Sequence, residues 1–360
     1  MINGFASDNR AGVHPRILEA IAAANVGHAP SYEEDELSRR AKDVLRQRFG
    51  PTAEAFFVFN GTAANVLSVR AVCDSWQAVL CSDASHLWGD ECGAPERLAG
   101  CKLIPLESRD GKLSLSTLKK VALRRRDQHG SQPRLVSLTQ PTELGTIYDP
   151  DDVRAIADWA HANDMLVHVD GTRLVNAAAA LKCDLADITE KLGVDVVSLG
   201  GTKNGLLFGE AVVFLRPDLS AHFPWLRKQN LQLASKMRFI AAQFEAWLGD
   251  GLWLEIARHS NAMAKRLEAG LRGQRGIEIS RPVETNAVFA RLPQAWLEPL
   301  RRTAPFYTWD PETSEVRLMT AWDTRPEDVD AFVAAVRGYE EIDMHITGWG
   351  ESWKEPKEKS

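Results

Sequence analysis

Cysteine is scarce and unpatterned in this chain. Cys73, Cys81, Cys92, Cys101 and Cys183 form no C-x-x-C pair and no Cys/His group with zinc spacing. Such an odd, scattered set of thiols suits a reducing compartment, so a cytoplasmic protein without a metal centre is expected. Long apolar runs are missing as well. None reaches the length that spans a bilayer, and Met1 to Arg10 lacks the basic-then-apolar order of a signal peptide, so no membrane partner is expected. Blocks of positive charge are almost absent. The exception, Arg124-Arg125-Arg126, sits in a polar stretch and reads as a solvated helix face. With Lys+Arg 43 against Asp+Glu 49 the net charge is −6, which gives no footprint for nucleic acid. No internal repeat or low-complexity segment is present.

What is there is an ordinary globular composition, 44% hydrophobic and 26% charged, on 360 residues. That length exceeds what one core usually supports, so a large and a smaller domain are expected. The order of elements supports the division. Short apolar strands at Ala55–Phe59, Ala78–Cys81, Cys101–Leu106, Leu135–Thr139, Met165–Val169 and 194–199 alternate with helical patterns. Strand–helix alternation of this kind builds a mostly parallel sheet covered on both faces. One long helix, Met237 to Leu254, is expected to lead into a small α+β layer. That layer has a helix at Ser260–Leu271, strands near 277–280, 285–291 and 315–320, and a closing helix at Pro326–Tyr339. The boundaries read as 1–245 for the large domain, with residues 1–14 as an arm that joins the active site. The small domain takes 246–345 and a polar tail 346–360.

The chemistry gathers just after strands, where open α/β sheets place their ligands. The stretch Val194-Asp-Val-Val-Ser-Leu-Gly200-Gly-Thr-Lys203-Asn-Gly205 sets one lysine between two apolar segments. A buried ammonium is costly, so such a lysine has its pKa lowered or its charge consumed in a covalent bond, as in the Schiff base with pyridoxal phosphate. Asp170 closes another strand, and the gap to Lys203 fits one helix-bearing crossover. An aspartate of this kind partners the pyridine nitrogen of that cofactor. Asn60-Gly61-Thr62, between a strand and a helix, offers amides to an anion. His86 follows a third strand.

These segments resemble a known family. Ala6-Ser7-Asp8-Asn9, Phe59-Asn-Gly61-Thr62-Ala63-Ala-Asn65, Ser85-His86, His168-Val-Asp170-Gly-Thr-Arg173, Gly200-Gly-Thr-Lys203-Asn-Gly205 and Glu315-Val-Arg317-Leu are similar to motifs of the low-specificity threonine aldolases. Those enzymes are β-eliminating-lyase-like and use pyridoxal 5′-phosphate on the fold type I, aspartate aminotransferase-like architecture. Asp90-Glu91-Cys-Gly-Ala-Pro-Glu96 and Ser235-Lys236-Met-Arg-Phe239 resemble the phenylserine aldolase branch. The resemblance implies that Lys203 carries the Schiff base, Asp170 pairs with the pyridine nitrogen, and Gly61, Thr62 and Ala63 seat the phosphate. It implies that His86 stacks on the ring, with Arg173 touching the cofactor as well as the substrate. Ser7, Arg173 and Arg317 would bind the substrate carboxylate, with Glu91 and Gln140 as further contacts. The implied activity is retro-aldol cleavage of β-hydroxy-α-amino acids to glycine and an aldehyde. The base would be His86 or a water positioned by Glu91, and the enzyme a homodimer or homotetramer. The alternatives are a β-eliminating lyase, decarboxylase or racemase on the same cofactor, and a non-catalytic binding protein. Three departures stand out, the first being Leu87-Trp88 after His86, where the family has smaller or more polar residues. Tyr32-Glu33-Glu34-Asp35 replaces a Tyr-Gly-Glu-Asp pattern, and Trp322 is expected near the substrate entrance, where it favours phenylserine-type substrates.

Overall fold

The apolar strands of the first 214 residues assemble into one seven-stranded sheet. In the computed structural model, which describes residues 3–121 and 127–350, these are β1 (Glu54–Val58), β2 (Gln77–Ser82), β3 (Lys102–Leu106), β4 (Gln132–Thr139), β5 (Leu166–Gly171), β6 (Val196–Gly200) and β7 (Glu210–Phe214). Their order across the sheet is β1-β7-β6-β5-β4-β2-β3. β7 runs antiparallel to β1 and β6, and the other neighbouring pairs are parallel. The Arg124-Arg125-Arg126 triplet and residues 351–360 of the tail lie outside the described residues.

Both faces of the sheet are buried, and the two-residue period of the strand sorts the side chains. Val197 and Leu199 of β6, with Ala211 and Val213 of β7, enter one core alongside Ile156, Leu174 and Trp247. Val196, Val212 and Phe214 point the other way, into a core with Leu67 and Phe223. β7 has no separate signal in the sequence, because only Gly209 and Glu210 divide it from the apolar Leu206–Phe208, and so short a run shows no period that distinguishes strand from buried coil.

The second sheet holds β8 (Glu278–Ile279), β9 (Ala287–Arg291), β10 (Tyr307–Asp310) and β11 (Glu315–Met319), antiparallel in the order β10-β11-β9-β8. Three strands were expected. β10 escaped notice because it is a half-exposed edge strand with no apolar run. The expected long helix is two, Arg238–Gly249 and Leu252–Leu271. Gly251, at φ +76°, makes the break. The second helix then runs uninterrupted, and it changes core along its length. Leu252, Trp253, Ile256 and Ala257 pack with the large sheet, whereas Ala264, Leu267 and Leu271 pack with the small one. Among the described residues no helix is long and apolar enough to cross a membrane.

The N-terminal arm is tied to the small sheet before it reaches the large one. Phe5 is buried in the second core, its N–H bonds Pro305 O at 2.7 Å, and Met319 N–H bonds Phe5 O at 2.7 Å. The short turn Asp8–Arg10 follows and delivers Asp8 to the ends of the large-sheet strands. Glu33, standing where the family pattern has glycine, keeps the left-handed backbone at φ +71°. Its carboxylate is buried against Arg227 and Lys42, which offsets the strain of that conformation.

At the end of β6 the backbone of residues 172 and 200 nearly touches. A Cβ on Gly200 would lie 2.6 Å from Thr172 Cα and nearer still to its carbonyl oxygen. Neither partner is a flexible side chain, so the strands must part. Gly200→Ala is expected to lower stability by at least about 1–3 kcal/mol. Thermal unfolding checks this, and an unchanged midpoint would mean the contact is not close-packed.

Candidate active site

The C-terminal ends of β4, β5 and β6 open into a cavity of about 390 Å³. Lys203 sits on its wall in the short turn Thr202–Asn204 that follows β6. Among the described residues its amine has no hydrogen bond and no ion pair. Burial, and then the Arg173 guanidinium, push its pKa below the usual lysine value.

Asp170, at the end of β5, faces the same space. Its Oδ1 accepts from Thr172 Oγ1 at 2.7 Å and from Thr172 N at 3.0 Å, and its Oδ2 accepts from Asn65 Nδ2 at 2.8 Å. Burial alone would raise its pKa, but the Thr172 hydroxyl and the Asn65 amide outweigh it and hold the carboxylate ionised. Asn65 also donates to Glu91 Oε1 at 3.1 Å, and that oxygen bonds His86 Nδ1 at 2.8 Å. Asp170, Asn65, Glu91 and His86 therefore form one continuous chain of hydrogen bonds. Its effect on His86 is to raise the imidazole pKa, chiefly through the bond to Glu91.

Across the cavity the helix Gly61–Val72 begins. Asn60 caps it, with Oδ1 accepting from Ala63 N at 2.8 Å. The amides of Gly61 and Thr62 donate to no described residue, and both residues line the cavity. A Cβ built on Gly61 would meet nothing within 4 Å. Open space before two free amides at a helix N-terminus is a seat for an anion.

A model of the beta-eliminating lyase family matches residues 4–295. The chain belongs to the beta-eliminating lyase family. Over 335 residues it is 43% identical to a low-specificity L-threonine aldolase of Pseudomonas aeruginosa, covering 92% of this chain and 96% of that one. It is 30% identical to alanine racemase TOXG of Cochliobolus carbonum, over 77% of this chain and 72% of that one. Among solved structures, a threonine aldolase of Leishmania major superposes with a TM-score of 0.89 at 29% identity, covering 94% of this chain and 99% of that one.

Not every residue expected at the site faces the cavity. Lys203, Asp170, His86, Glu91, Gly61, Thr62 and Arg173 do. Ser7 instead caps its own turn, its hydroxyl accepting from Asn9 N at 3.2 Å. Ala63 spends its amide on the Asn60 cap. Gln140 turns away to clasp Tyr148, through Oε1 to Tyr148 N at 3.0 Å and Nε2 to Tyr148 O at 3.3 Å. Glu91 lies buried beneath His86, in position to orient it. Arg173 is held in a two-pronged pair with Asp8, at 2.6 and 2.9 Å. Arg317, on β11, has a buried Nε with no partner and lies over the Trp309 ring at 5.2 Å. Desolvation, then Arg173, lowers its pKa. Trp322 is fastened to the N-terminal arm, with Nε1 donating to Gly12 O at 2.8 Å and its ring against His14, so it does not shape the cavity.

Four further residues at or beside the site carry little signal in the sequence. Asp8 and Asn65 lie inside quoted motifs, and the need to neutralise a buried Arg173 could have singled out Asp8. Glu143 and Glu210 carry no local signal. Glu210 begins β7 and accepts the Gly201 amide at 2.6 Å, and burial raises its pKa to about 7. Glu143 follows β4, and burial with the nearby Asp170 charge likewise raises its pKa to about 7. Among the described residues no group of three or more His, Cys, Asp or Glu could hold a metal ion.

Proposed function

We propose that this chain is a pyridoxal 5′-phosphate-dependent aldolase that cleaves β-hydroxy-α-amino acids, of threonine or phenylserine type, to glycine and an aldehyde. The observation that carries this reading is the pairing of an unpartnered, desolvated Lys203 amine with an ionised Asp170 in one cavity. The cofactor fits the donor set. Lys203 would hold its aldehyde carbon, Asp170 its pyridine nitrogen, and the Gly61 and Thr62 amides its phosphate, with His86 against the ring. When bound, pyridoxal phosphate supplies a sink for the electron pair released at the substrate Cα.

The protein's own groups do the rest. Asn65 and Thr172 keep Asp170 charged, and Glu91 orients His86. Arg317, half-buried with an Nε that has no partner, stands outside the residues lining the cavity and is suited to the substrate carboxylate, because a guanidinium fork bonds both oxygens. Arg173, anchored by Asp8, adds positive charge beside it. Arg317→Ala is expected to lower kcat/KM by about 2–5 kcal/mol, roughly 30-fold to several thousandfold, mostly through KM. Steady-state kinetics with the cleaved amino acid checks this. A KM within twofold of wild type would remove Arg317 from the site.

Incubation with glycine and benzaldehyde or acetaldehyde tests the reaction in the synthetic direction, and formation of a β-hydroxy-amino acid is the expected result. A second reading, racemisation, has support from the likeness to alanine racemase TOXG. Turnover of alanine to its enantiomer, with no product from either aldehyde, would favour it.

The division at residue 245 into a cofactor-binding and a smaller domain is part of this proposal, as is assembly into a homodimer or homotetramer. Leu207 and Phe208, beside the Lys203 turn, are exposed, as are Leu231 and Trp225. Apolar groups at a cavity mouth suit cover by a second copy. Sedimentation of the holoenzyme decides, and a monomer at micromolar concentration would count against it. The five free cysteines support a cytoplasmic setting.

A further inference from the structure

Glu143 is the one carboxylate on the cavity wall with no role so far. It lies in the turn after β4, on the same side as His86. Its Oε1 is fully engaged, accepting from the His86 backbone N–H at 2.7 Å and from Thr139 Oγ1 at 2.9 Å. Its Oε2 is shut off from bulk solvent and has no hydrogen-bond partner. A buried acceptor without a donor is costly, and Glu143 lines the cavity, where a bound hydroxyl can supply one. Glu91 Oε2 is likewise buried without a partner, but its side chain is fully enclosed beneath His86, and the remaining acids at the wall are committed. Asp170 serves Asn65 and Thr172, Glu91 serves His86, and Glu210 serves the Gly201 amide on the Lys203 side.

The geometry points to Glu143 Oε2 as the base that takes the β-hydroxyl proton of the substrate, with His86 as a ring-stacking group. This inference rests on the aldolase reading. The step balances without any redox partner. The O–H proton passes to Oε2, and the O–H electron pair becomes the second bond of the aldehyde C=O. The Cα–Cβ pair stays with the glycine half, which takes up one proton in its place.

The electrostatics agree. The bond to Glu91 raises the His86 pKa, which leaves less free imidazole to act as a base at neutral pH. Glu143 is raised to about 7, first by burial and then by Asp170, and a base works best with a pKa near the working pH. The other titratable groups near it are Arg173 after β5, Cys81 on β2 and Tyr148 after the turn. Cys81 and Tyr148 have pKa values raised by burial and stay neutral through that range, so Asp170 and Arg173 set the field with His86.

The holoenzyme with Glu143→Gln tests the assignment by two reactions on one protein. Exchange of a glycine α-proton in deuterated water involves no β-hydroxyl. Cleavage of threonine or phenylserine does. The variant is expected to keep the cofactor absorption band and to exchange glycine within about threefold of wild type. Its cleavage kcat should fall by about 10²- to 10⁴-fold, the usual worth of a positioned base. The acidic limb near pH 7 in kcat/KM should vanish with it, and Glu143→Asp should restore part of the rate. Equal loss of both reactions would reduce Glu143 to a support for the His86 turn and overturn the inference. So would unchanged cleavage. Wild-type protein that exchanges glycine but cleaves neither substrate overturns the aldolase reading itself, a separate result.

Discussion

Lys203→Ala is expected to leave a protein that cannot hold pyridoxal phosphate covalently and shows no cleavage above background. Wild-type protein reconstituted with the cofactor is expected to carry an absorption band that borohydride reduces, with the label mapping to the Lys203 peptide. The alanine variant should lack both. The physical ground is the state of the amine. Lys203 is mostly buried, has no carboxylate in contact among the described residues, and feels the Arg173 guanidinium, so its pKa falls below the usual lysine value and the neutral form is favoured. A neutral amine is the nucleophile that attacks an aldehyde carbon. Lys203→Arg should fail as completely, since a guanidinium keeps its proton at any working pH. A wild-type protein that stays colourless with excess pyridoxal phosphate would defeat the cofactor assignment, and with it the proposed reaction.

Asp8→Ala is expected to cost about 3–5 kcal/mol of stability, because it strips the buried carboxylate partner from a mostly enclosed Arg173. Asp8 accepts from that guanidinium at 2.6 and 2.9 Å and from Asn286 Nδ2 at 3.1 Å, so one substitution unties the arm, the large sheet and the small sheet together. Urea unfolding should show a lower midpoint at an unchanged slope. The sign with pH follows from the depressed pKa. Burial pushes the Asp8 carboxyl up, but Arg173 more than offsets it and holds the folded value below the usual 3.8. The stabilisation is complete above the unfolded value and is lost as pH falls through the folded one. The wild-type and Asp8→Ala stabilities should therefore converge in strong acid. A constant gap down to that range would mean the pair contributes through packing alone. Asp8 also raises the Lys203 pKa, so its removal should move the titration of the cofactor band to lower pH.

The strand-end location of the chemistry was legible because local rules suffice for it. β5 and β6 announce themselves as β-branched runs, and an acid or lysine straight after such a run falls at the ligand edge of a parallel sheet. The glycine turn at Gly61 and the helix behind it are local too. Motif order then extended the reading to Arg317, far along the chain. The readings that failed were those about which way a side chain faces. Ser7, Ala63 and Gln140 stand within two residues of ones that line the cavity, but Ser7 and Gln140 bond backbone groups elsewhere and the Ala63 amide goes to the Asn60 side chain. Trp322 was read as a pocket wall and is a clamp on the arm.

The sequence by itself determined the layered α/β fold and the placing of Lys203, Asp170 and the Gly61-Thr62 turn at strand ends around one cavity. Periodicity, turn chemistry and the cost of a buried charge are properties of short stretches, and they act before the chain has closed. Only the tertiary structure decided that Arg173 is paired with Asp8, that His86 leans on Glu91, and that Glu143 and Glu210 are acids with pKa values near 7. Those facts depend on which groups meet after folding, and on how far water is kept from them. A carboxylate reads the same in any sequence. Desolvation and the charges brought beside it set its proton affinity, and both come from residues distant in the chain.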